Sequence, residues 1–233
     1  MRWAAFPLAV VLGVTAGCRT LPPAGQTPQQ LNHTMSYWLY LPDDYHRPPR
    51  QRWPLLLFLH GSGECGTHLT AVLKHGPPQL AHEGRKFPFL IVSPQCPSNQ
   101  GWSVPELNRL LDHVMARYRV DKDRVYLTGL SMGGYGAWAL AAANPQRFAA
   151  LAPICGGGDP ATASRLRNLS IWVFHGAKDK AVPVQKSIEM VDALKVVGAK
   201  VRLTFYPEAG HDSWTQTYNN PDFYDWLLRQ RRK

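Results

Sequence analysis

The sequence lacks several features that define other protein classes. The apolar run from Ala4 to Val14 is too short for a helix that spans a bilayer. Cysteine is scarce, with four residues in all, and no pair has the Cys-x-x-Cys spacing of a zinc ribbon or a thioredoxin-like site. No internal repeat follows the first 34 residues. These absences argue against a membrane-spanning helix, a solenoid and thiol-based metal or redox chemistry.

What the sequence does contain indicates one folded domain. Hydrophobic residues make up 45% of its 233 residues, which suits one buried α/β core and is short for two. The formal net charge is +10, but the basic residues are scattered rather than concentrated on one element, as a nucleic-acid-binding surface would require. We therefore expect no nucleic-acid partner and interpret the positive charge as a solvated surface.

The N-terminus carries the pattern of an export signal. Arg2 precedes the apolar run, and Thr15-Ala-Gly-Cys18 follows it, a stretch that resembles the lipobox of bacterial lipoproteins, although threonine replaces the usual aliphatic residue. The pattern predicts a signal peptide over residues 1–17, a lipid on Cys18 and a flexible tether over residues 18–34. The expected location is the outer membrane or the periplasmic face of the envelope. A plain cleaved signal is the alternative.

Short apolar runs alternate with segments of helical periodicity. The expected strands are Tyr37–Leu41, Leu55–His60, Phe89–Ser93, Val125–Gly129, Ala149–Pro153, Ile171–His175 and Val201–Tyr206. The expected helices are Glu106–Tyr118, Gly133–Asn144, Gln185–Val197 and Asp222–Arg231. Strands that are apolar throughout and alternate with helices predict an α/β fold, in which a mostly parallel sheet has helices on both faces.

A serine lies where one of these strands meets a helix. Gly129-Leu-Ser131-Met-Gly133 fits G-x-S-x-G, the pattern of a tight strand-to-helix turn that exposes a nucleophilic serine. A rival pattern, G-x-G-x-x-A, runs from Gly134 to Ala139, with Asp159 as the ribose-binding acid. That fingerprint should follow its strand directly, and here it begins five residues after the strand ends at Gly129. The sequence therefore favours Ser131 as a nucleophile.

A nucleophilic serine needs a base and an orienting acid. His211 lies in the last loop before the final helix, and Asp179 follows the strand Ile171–His175. With Ser131 they give the order nucleophile, acid, base that is typical of α/β-hydrolases. Asp159 and Asp212 are rival acids. His60 and His175, each before a glycine at a strand end, are expected to brace loops.

Further residues are candidates by their place near these loops. The glycine-rich loop after Leu55–His60 predicts an oxyanion hole made by the backbone N–H groups of Ser62 and Met132. The aromatic side chains of Trp102, Tyr135 and Trp214 are candidate substrate contacts, with core or rim packing as the alternative. Only about 17 residues, 154–170, precede the next strand where lids usually grow, so no substantial lid domain is expected.

Three cysteines remain after Cys18, namely Cys65, Cys96 and Cys155. Because three is odd, at least one must stay free or pair outside the chain. A disulfide between Cys65 and Cys96 is open at this point, since the sequence does not establish it.

Seven motifs in order carry a resemblance to a known family. They are His60-Gly-Ser-Gly-Glu-Cys-Gly, His75-Gly-Pro-Pro, Ser93-Pro-Gln-Cys-Pro, Gly129-Leu-Ser-Met-Gly-Gly, Pro153-Ile-Cys-Gly-Gly-Gly-Asp, His175-Gly-Ala-Lys-Asp and Gly210-His-Asp-Ser-Trp. Over residues 35–233 the chain resembles the α/β-hydrolase superfamily. More narrowly, it is similar to small bacterial phospholipase/carboxylesterases, to predicted peptidases, to dienelactone hydrolase and to feruloyl esterases. Many relatives have arginine after the oxyanion-loop glutamate, where this chain has Cys65.

The resemblance implies a serine carboxylesterase that cleaves small or polysaccharide-linked esters through an acyl-enzyme. It implies no cofactor and no metal. The alternatives are a serine peptidase with the same Ser131, Asp179 and His211, and a catalytically inactive binding protein of the envelope.

Overall fold

The computed structural model describes residues 21–31, 35–47, 50–98 and 100–232. Its strands are β1 (Gly25–Leu31), β2 (Met35–Leu41), β3 (Trp53–Leu59), β4 (Leu90–Pro94), β5 (Val120–Leu130), β6 (Ala150–Ile154), β7 (Ser170–Gly176) and β8 (Val201–Tyr206). The α-helices are α1 (Gly76–His82), α2 (Val104–Arg117), α3 (Met132–Ala143), α4 (Gln185–Val196), α5 (Trp214–Asn219) and α6 (Pro221–Leu228). Short 3₁₀ helices span Ser62–Glu64, Leu69–Lys74, Pro145–Arg147 and Pro160–Leu166.

The strands form one sheet in the order β1-β2-β4-β3-β5-β6-β7-β8. Six neighbouring strands are parallel to one another, namely β4, β3, β5, β6, β7 and β8. Strand β2 is antiparallel to both β4 and β1. All seven predicted strands and all four predicted helices are confirmed, with ends that differ by a few residues. The expected α/β-hydrolase fold with a mostly parallel sheet is therefore confirmed.

Helices cover both faces of the sheet because its central strands are apolar on both sides. Along β3, Leu55, Leu57 and Leu59 pack into one core cluster, with residues of α2, α3 and α4. Leu56 and Phe58, which point the other way, pack into the second cluster, with residues of α6. Burial on both faces fixes the sheet, and thereby the loops at its carboxyl edge.

One prediction for the N-terminal segment is wrong. Gly25–Leu31 is not a flexible tether but a strand, and all seven of its residues pair with β2 in the register Gly25↔Leu41 to Leu31↔Met35. The backbone of this segment finds hydrogen-bond partners at the exposed edge of β2, which composition alone does not reveal. The predicted signal peptide and Cys18 lie outside the described residues.

No helix in the described ranges is both long and apolar enough to cross a membrane. The segment between β6 and β7 contains the 3₁₀ helix Pro160–Leu166 and no inserted domain, as expected from its length.

Candidate active site

Ser131 occupies a strained turn between β5 and α3. Its backbone angles are φ 52° and ψ −117°, outside the regions that residues with a β-carbon prefer. A β-carbon on Gly129 would lie 2.3 Å from the carbonyl oxygen of Gly133, and one on Gly133 would lie 2.0 Å from that of Leu59. Only glycine fits at either position, so the two glycines of G-x-S-x-G allow the turn that presents the serine.

The side chains of Ser131, His211 and Asp179 form a continuous hydrogen-bonded chain. His211 Nε2 lies 2.9 Å from Ser131 Oγ, and His211 Nδ1 lies 2.7 Å from Asp179 Oδ2. Because a carboxylate accepts, Nδ1 carries a hydrogen and Nε2 is left to accept the hydroxyl proton of Ser131. The three residues that the sequence selected are brought together in the predicted order.

Backbone contacts explain why the loops after β7 and β8 meet. The Lys178 N–H donates to the Ala209 carbonyl at 2.9 Å. A β-carbon on Gly176 would lie 2.0 Å from the Gly210 carbonyl oxygen, so the end of β7 is pressed against the loop that carries His211. This contact brings residues 32 positions apart into one hydrogen bond.

The side chain of Asp179 is fully buried and surrounded by donors. The backbone N–H groups of Ala181 and Val182 donate to its Oδ1 at 2.8 and 2.9 Å, and its side chain has 0% exposure. Burial raises the pKa of Asp179, but the hydrogen bonds from His211, Val182 and Ala181 outweigh it, and the net effect is a lowered pKa. Asp179 therefore stays a carboxylate that can orient the imidazole.

The two rival acids have other partners. Asp159 accepts the Ala161 N–H at 3.0 Å and caps the 3₁₀ helix Pro160–Leu166. Asp212 accepts the Thr215 N–H at 3.0 Å at the start of α5. Both are exposed, and neither is placed on the imidazole of His211 as Asp179 is.

His175 has a contact that the sequence did not predict. It is fully buried, and its Nε2 lies 3.2 Å from Asp179 Oδ2 and 3.0 Å from the Val182 carbonyl oxygen. Since both neighbours are acceptors, Nε2 carries the hydrogen, and Nδ1 accepts from the Ser187 hydroxyl at 2.7 Å. The prediction that His175 braces a loop is therefore incomplete, because His175 and His211 lie against the same carboxylate oxygen of Asp179.

The loop after β3 lies against Ser131. A β-carbon on Gly61 would lie 3.7 Å from Ser131 Cβ, which places the start of the predicted oxyanion loop beside the serine. Buried Glu64 accepts the Gly61 N–H at 3.0 Å and lies 3.7 Å from His75 Nε2. Burial raises the pKa of Glu64. Ser62 begins the 3₁₀ helix of this loop and Met132 begins α3, but their role as donors to an oxyanion stays a prediction.

The three aromatic candidates lie in different surroundings. Trp102 is half-buried, donates its Nε1–H to the His60 carbonyl at 3.2 Å and packs against Gly136, which indicates a structural role for most of its ring. The Trp214 ring meets the His211 imidazole edge to face, with centroids 5.3 Å apart. Tyr135 is 41% exposed. For all three residues, contact with a substrate stays a prediction.

A cleft of about 530 Å³ runs along α3 away from the serine. It is lined by Tyr135, Trp138, Ala139, Ala142, Ala143, Gly157, Gly158, Asp159, Thr162 and Arg165. Ser131 does not line it, but the Tyr135 N–H donates to the Ser131 carbonyl at 3.1 Å, so the cleft begins one helical turn from the nucleophile. The cleft is open, in keeping with the missing lid.

Cys155 is a buried neighbour of the same group. Its sulfur, an Asp179 oxygen and a His211 nitrogen lie within 4.8 Å of one another, a set of ligand types that metals use. Burial raises the pKa of Cys155 to about 12. A protonated thiol is a poor ligand, and both nitrogens of His211 are already engaged, so we assign no metal to this set.

The parallel sheet and the position of Ser131 in its turn define an α/β-hydrolase. The chain belongs to the family described as "Putative esterase", whose model matches residues 28–216. It is therefore a hydrolase of the esterase class.

Relatives and solved structures agree with this assignment. The chain is 28% identical to the "Putative carboxymethylenebutenolidase" of Escherichia coli K12, over 89% of this chain and 83% of that protein. It is 33% identical to a thermostable esterase of known structure, with a TM-score of 0.77 over 89% of this chain, and spans 63% of that esterase. A ferulic acid esterase from Anaeromyces mucronatus, solved with ferulic acid, has a TM-score of 0.65 over 90% of both chains, but at 16% identity it shows only a common fold.

Proposed function

We propose that this protein is a serine carboxylesterase that hydrolyses small or side-chain esters through an acyl-enzyme. The observation that carries the proposal is the hydrogen-bonded chain Ser131 Oγ–His211 Nε2, His211 Nδ1–Asp179 Oδ2, at 2.9 and 2.7 Å. Ser131 is the nucleophile, His211 the general base and Asp179 the acid that orients His211.

The proposed reaction proceeds in two halves. As Ser131 Oγ attacks the ester carbonyl carbon, its proton passes to His211 Nε2, and the carbonyl oxygen becomes an oxyanion near the N–H groups of Met132 and Ser62. The C–O bond to the alcohol then breaks, and His211 returns the proton to the leaving alkoxide. Water repeats the sequence on the acyl-enzyme and releases the carboxylic acid. Removing one oxyanion donor typically costs about 3–4 kcal/mol of transition-state stabilisation.

The substrate class is inferred from what surrounds the serine. A long acyl chain needs a continuous apolar wall, because each buried methylene contributes about 0.8 kcal/mol. The segment 156–164 is mostly glycine and polar residues, and it forms no lid over the site. Tyr135 and Trp214 offer flat faces instead. Such faces suit aromatic acyl groups, on polysaccharides or small alcohols.

Replacing the nucleophile tests the proposal. We expect Ser131→Ala to reduce kcat by about 10⁴- to 10⁶-fold on a short-chain aryl ester, because no other hydroxyl is in reach of His211 Nε2 within the described residues. Ser164→Ala, on the exposed surface near the open cleft, is the matched control and should keep wild-type activity. Retention of more than about 1% of kcat by Ser131→Ala, with contaminating esterase excluded, would contradict the proposal.

A fluorophosphonate probe separates the rival functions. The proposed enzyme is labelled at Ser131 and hydrolyses an ester much faster than the matched amide. A serine peptidase would be labelled equally but would cleave the amide efficiently. A binding protein without activity would leave Ser131 unlabelled. Intact-mass measurement on wild type and Ser131→Ala reports the labelling, and the ratio of ester to amide hydrolysis separates the esterase from the peptidase.

We further propose that the enzyme is exported and held at the envelope by a lipid on Cys18. The support is the apolar run followed by Thr15-Ala-Gly-Cys18, and a diacylglyceryl group with a third acyl chain anchors far more firmly than one chain. Arg19 after the cysteine favours the outer membrane. Fractionation of cells that express wild type or Cys18→Ser tests this, since wild type should sediment with membranes and the variant should not.

A further inference from the structure

Two cysteines meet where the predicted oxyanion loop contacts the sheet edge. Cys65 follows the 3₁₀ helix Ser62–Glu64, and Cys96 lies two residues after the end of β4. The N–H of Gly66, the residue after Cys65, donates to the Cys96 carbonyl at 2.9 Å. The two backbones are therefore adjacent at the cysteines, as a disulfide requires of its α-carbons.

The two thiols are also close enough to influence each other, because, in addition to burial, the neighbouring Cys65 raises the pKa of Cys96. Both are free cysteines in the structure. Cys65 is partly exposed, whereas Cys96 is 1% exposed and also donates to the Gln100 carbonyl at 3.5 Å. The third described cysteine, Cys155, is fully buried beside Asp179 and offers a comparison within the same chain.

Other hydrogen bonds already fix these two loops to each other. Gln95 Nε2 donates to the Glu64 carbonyl at 3.0 Å and to the His68 carbonyl at 2.9 Å. The Cys96 N–H donates to His60 Nε2 at 2.9 Å. The loops that carry the two sulfurs are therefore already held together before any bond forms between them.

We propose that Cys65 and Cys96 form a disulfide when an external disulfide is available as the oxidant. The Cys65 thiolate attacks one sulfur of that disulfide and releases the first thiolate. The Cys96 sulfur then attacks the mixed disulfide at Cys65, forms the Cys65–Cys96 bond and releases the second thiolate. The cysteine pair loses two electrons and two protons, and the external disulfide is reduced to two thiols.

The bond would clamp the loop that begins with Ser62 to the end of β4. It closes a loop of about 30 residues, for which chain-entropy arguments give a stabilisation that corresponds to a rise in Tm of about 5–15 °C in a protein of this size. Burial and the neighbouring Cys65 raise the pKa of Cys96 to about 12, so closure should be faster at pH 9 than at pH 7. The inference does not depend on the proposed function, because it concerns only the two sulfurs.

Peptide mapping of the full-length chain tests the bond without any substrate. The protein is oxidised with glutathione disulfide, denatured in iodoacetamide without reductant, and digested with trypsin. Cleavage after lysine and arginine places Cys65 in residues 53–74, Cys96 in 87–109, Cys155 in 148–165 and Cys18 in 3–19. We expect peptide 53–74 linked to 87–109, with Cys155 fully alkylated.

Cys65→Ser is the matched control. In this variant peptide 87–109 should be alkylated, and oxidation should leave Tm unchanged, whereas oxidation of wild type should raise Tm. Glutathione that persists on Cys65 without closure would overturn the proposal. So would full alkylation of both cysteines in oxidised wild type. If the bond forms but leaves Tm unchanged, the proposed clamp is wrong.

Discussion

The buried groups behind Ser131, here called the inner side, differ from the exposed surface in front of it, here called the outer side. On the inner side, every oxygen of buried Asp179 has a partner, from Ala181, Val182, His211 and the neighbouring His175. On the outer side, Tyr135 is 41% exposed above an open cleft. Buried hydrogen bonds therefore determine the geometry of the reacting groups, while the choice of acyl group depends on a surface that can change at little cost to the fold.

The inner side should give the largest effect. We expect Asp179→Asn to reduce kcat by about 10⁴-fold, because an amide N–H₂ facing His211 Nδ1 favours the tautomer whose Nε2 carries the hydrogen and cannot accept from Ser131. Asp212→Asn is the control on the neighbouring exposed cap and should lose little. Steady-state kinetics on a short-chain ester measures both, and the assignment of the acid is wrong if Asp212→Asn or Asp159→Asn is the damaging change.

The inner side is also the part of the site that the sequence predicts best. Ser131, Asp179 and His211 were predictable because each follows a predicted parallel strand, and the carboxyl ends of such strands meet at one edge of the sheet. β1 was not predictable, because Gly25-Gln-Thr-Pro-Gln-Gln-Leu has little strand propensity and is ordered by pairing with β2. α1 has two prolines in its first turn, where a helix tolerates them, but the sequence around them does not predict a helix.

The contact of His175 with Asp179 was out of reach for a further reason. His60 and His175 share the same local pattern, a histidine before a glycine at the end of a strand. One binds the Cys96 N–H and the other lies against the acid. Which histidine does which depends on how loops distant in sequence pack together, and local sequence does not encode that.

The pH profile tests how firmly the inner side fixes its charges. Because the pKa of Asp179 is lowered, its carboxylate stays ionised across mildly acid pH, so one proton, that of His211, should govern the acid limb. We expect kcat/KM to rise about tenfold per pH unit on that limb and then to level off. A slope of two in a plot of log kcat/KM against pH would contradict this. So would a flat profile measured while the chemical step limits the rate.

The pH dependence of stability should follow from the same lowered pKa of Asp179. A lowered pKa in the folded state means that Asp179 contributes stability above about pH 4 that is lost as the pH falls through the lowered value. The free energy of unfolding of wild type should therefore fall more steeply below pH 4 than that of Asp179→Asn. Urea titrations of both proteins at several pH values measure the difference.

His175 belongs to the inner side as a buried positioning residue, which acts on the reaction only through Asp179. We expect His175→Phe to reduce kcat by about tenfold and to move the acid limb to higher pH. Without the second N–H near Oδ2, more of the negative charge of Asp179 acts on His211 and favours its protonated form.

Two further measurements separate this role from simple packing. His175→Gln keeps a donor and should restore part of the activity and of the profile. If His175 has only a packing role, His175→Phe should lower kcat or Tm without moving the acid limb. That result would show that His175 does not act through Asp179.

The outer side should give the smallest and most selective effect. Tyr135→Ala removes an exposed ring one helical turn from Ser131, so we expect kcat on acetate to stay within about twofold while KM for a hydroxycinnamate ester rises several-fold, since a stacked ring contributes about 1 kcal/mol. Wild type should prefer acetate, butyrate and hydroxycinnamate esters to dispersed palmitate. Trp138 lines the same cleft but is buried, so a substitution of Trp138 should lower Tm more than it changes the preference for one acyl group over another. Clear preference for palmitate would mean that the open cleft holds a long chain, and equal losses on acetate and hydroxycinnamate in Tyr135→Ala would mean that the ring supports the turn of Ser131 rather than the acyl group.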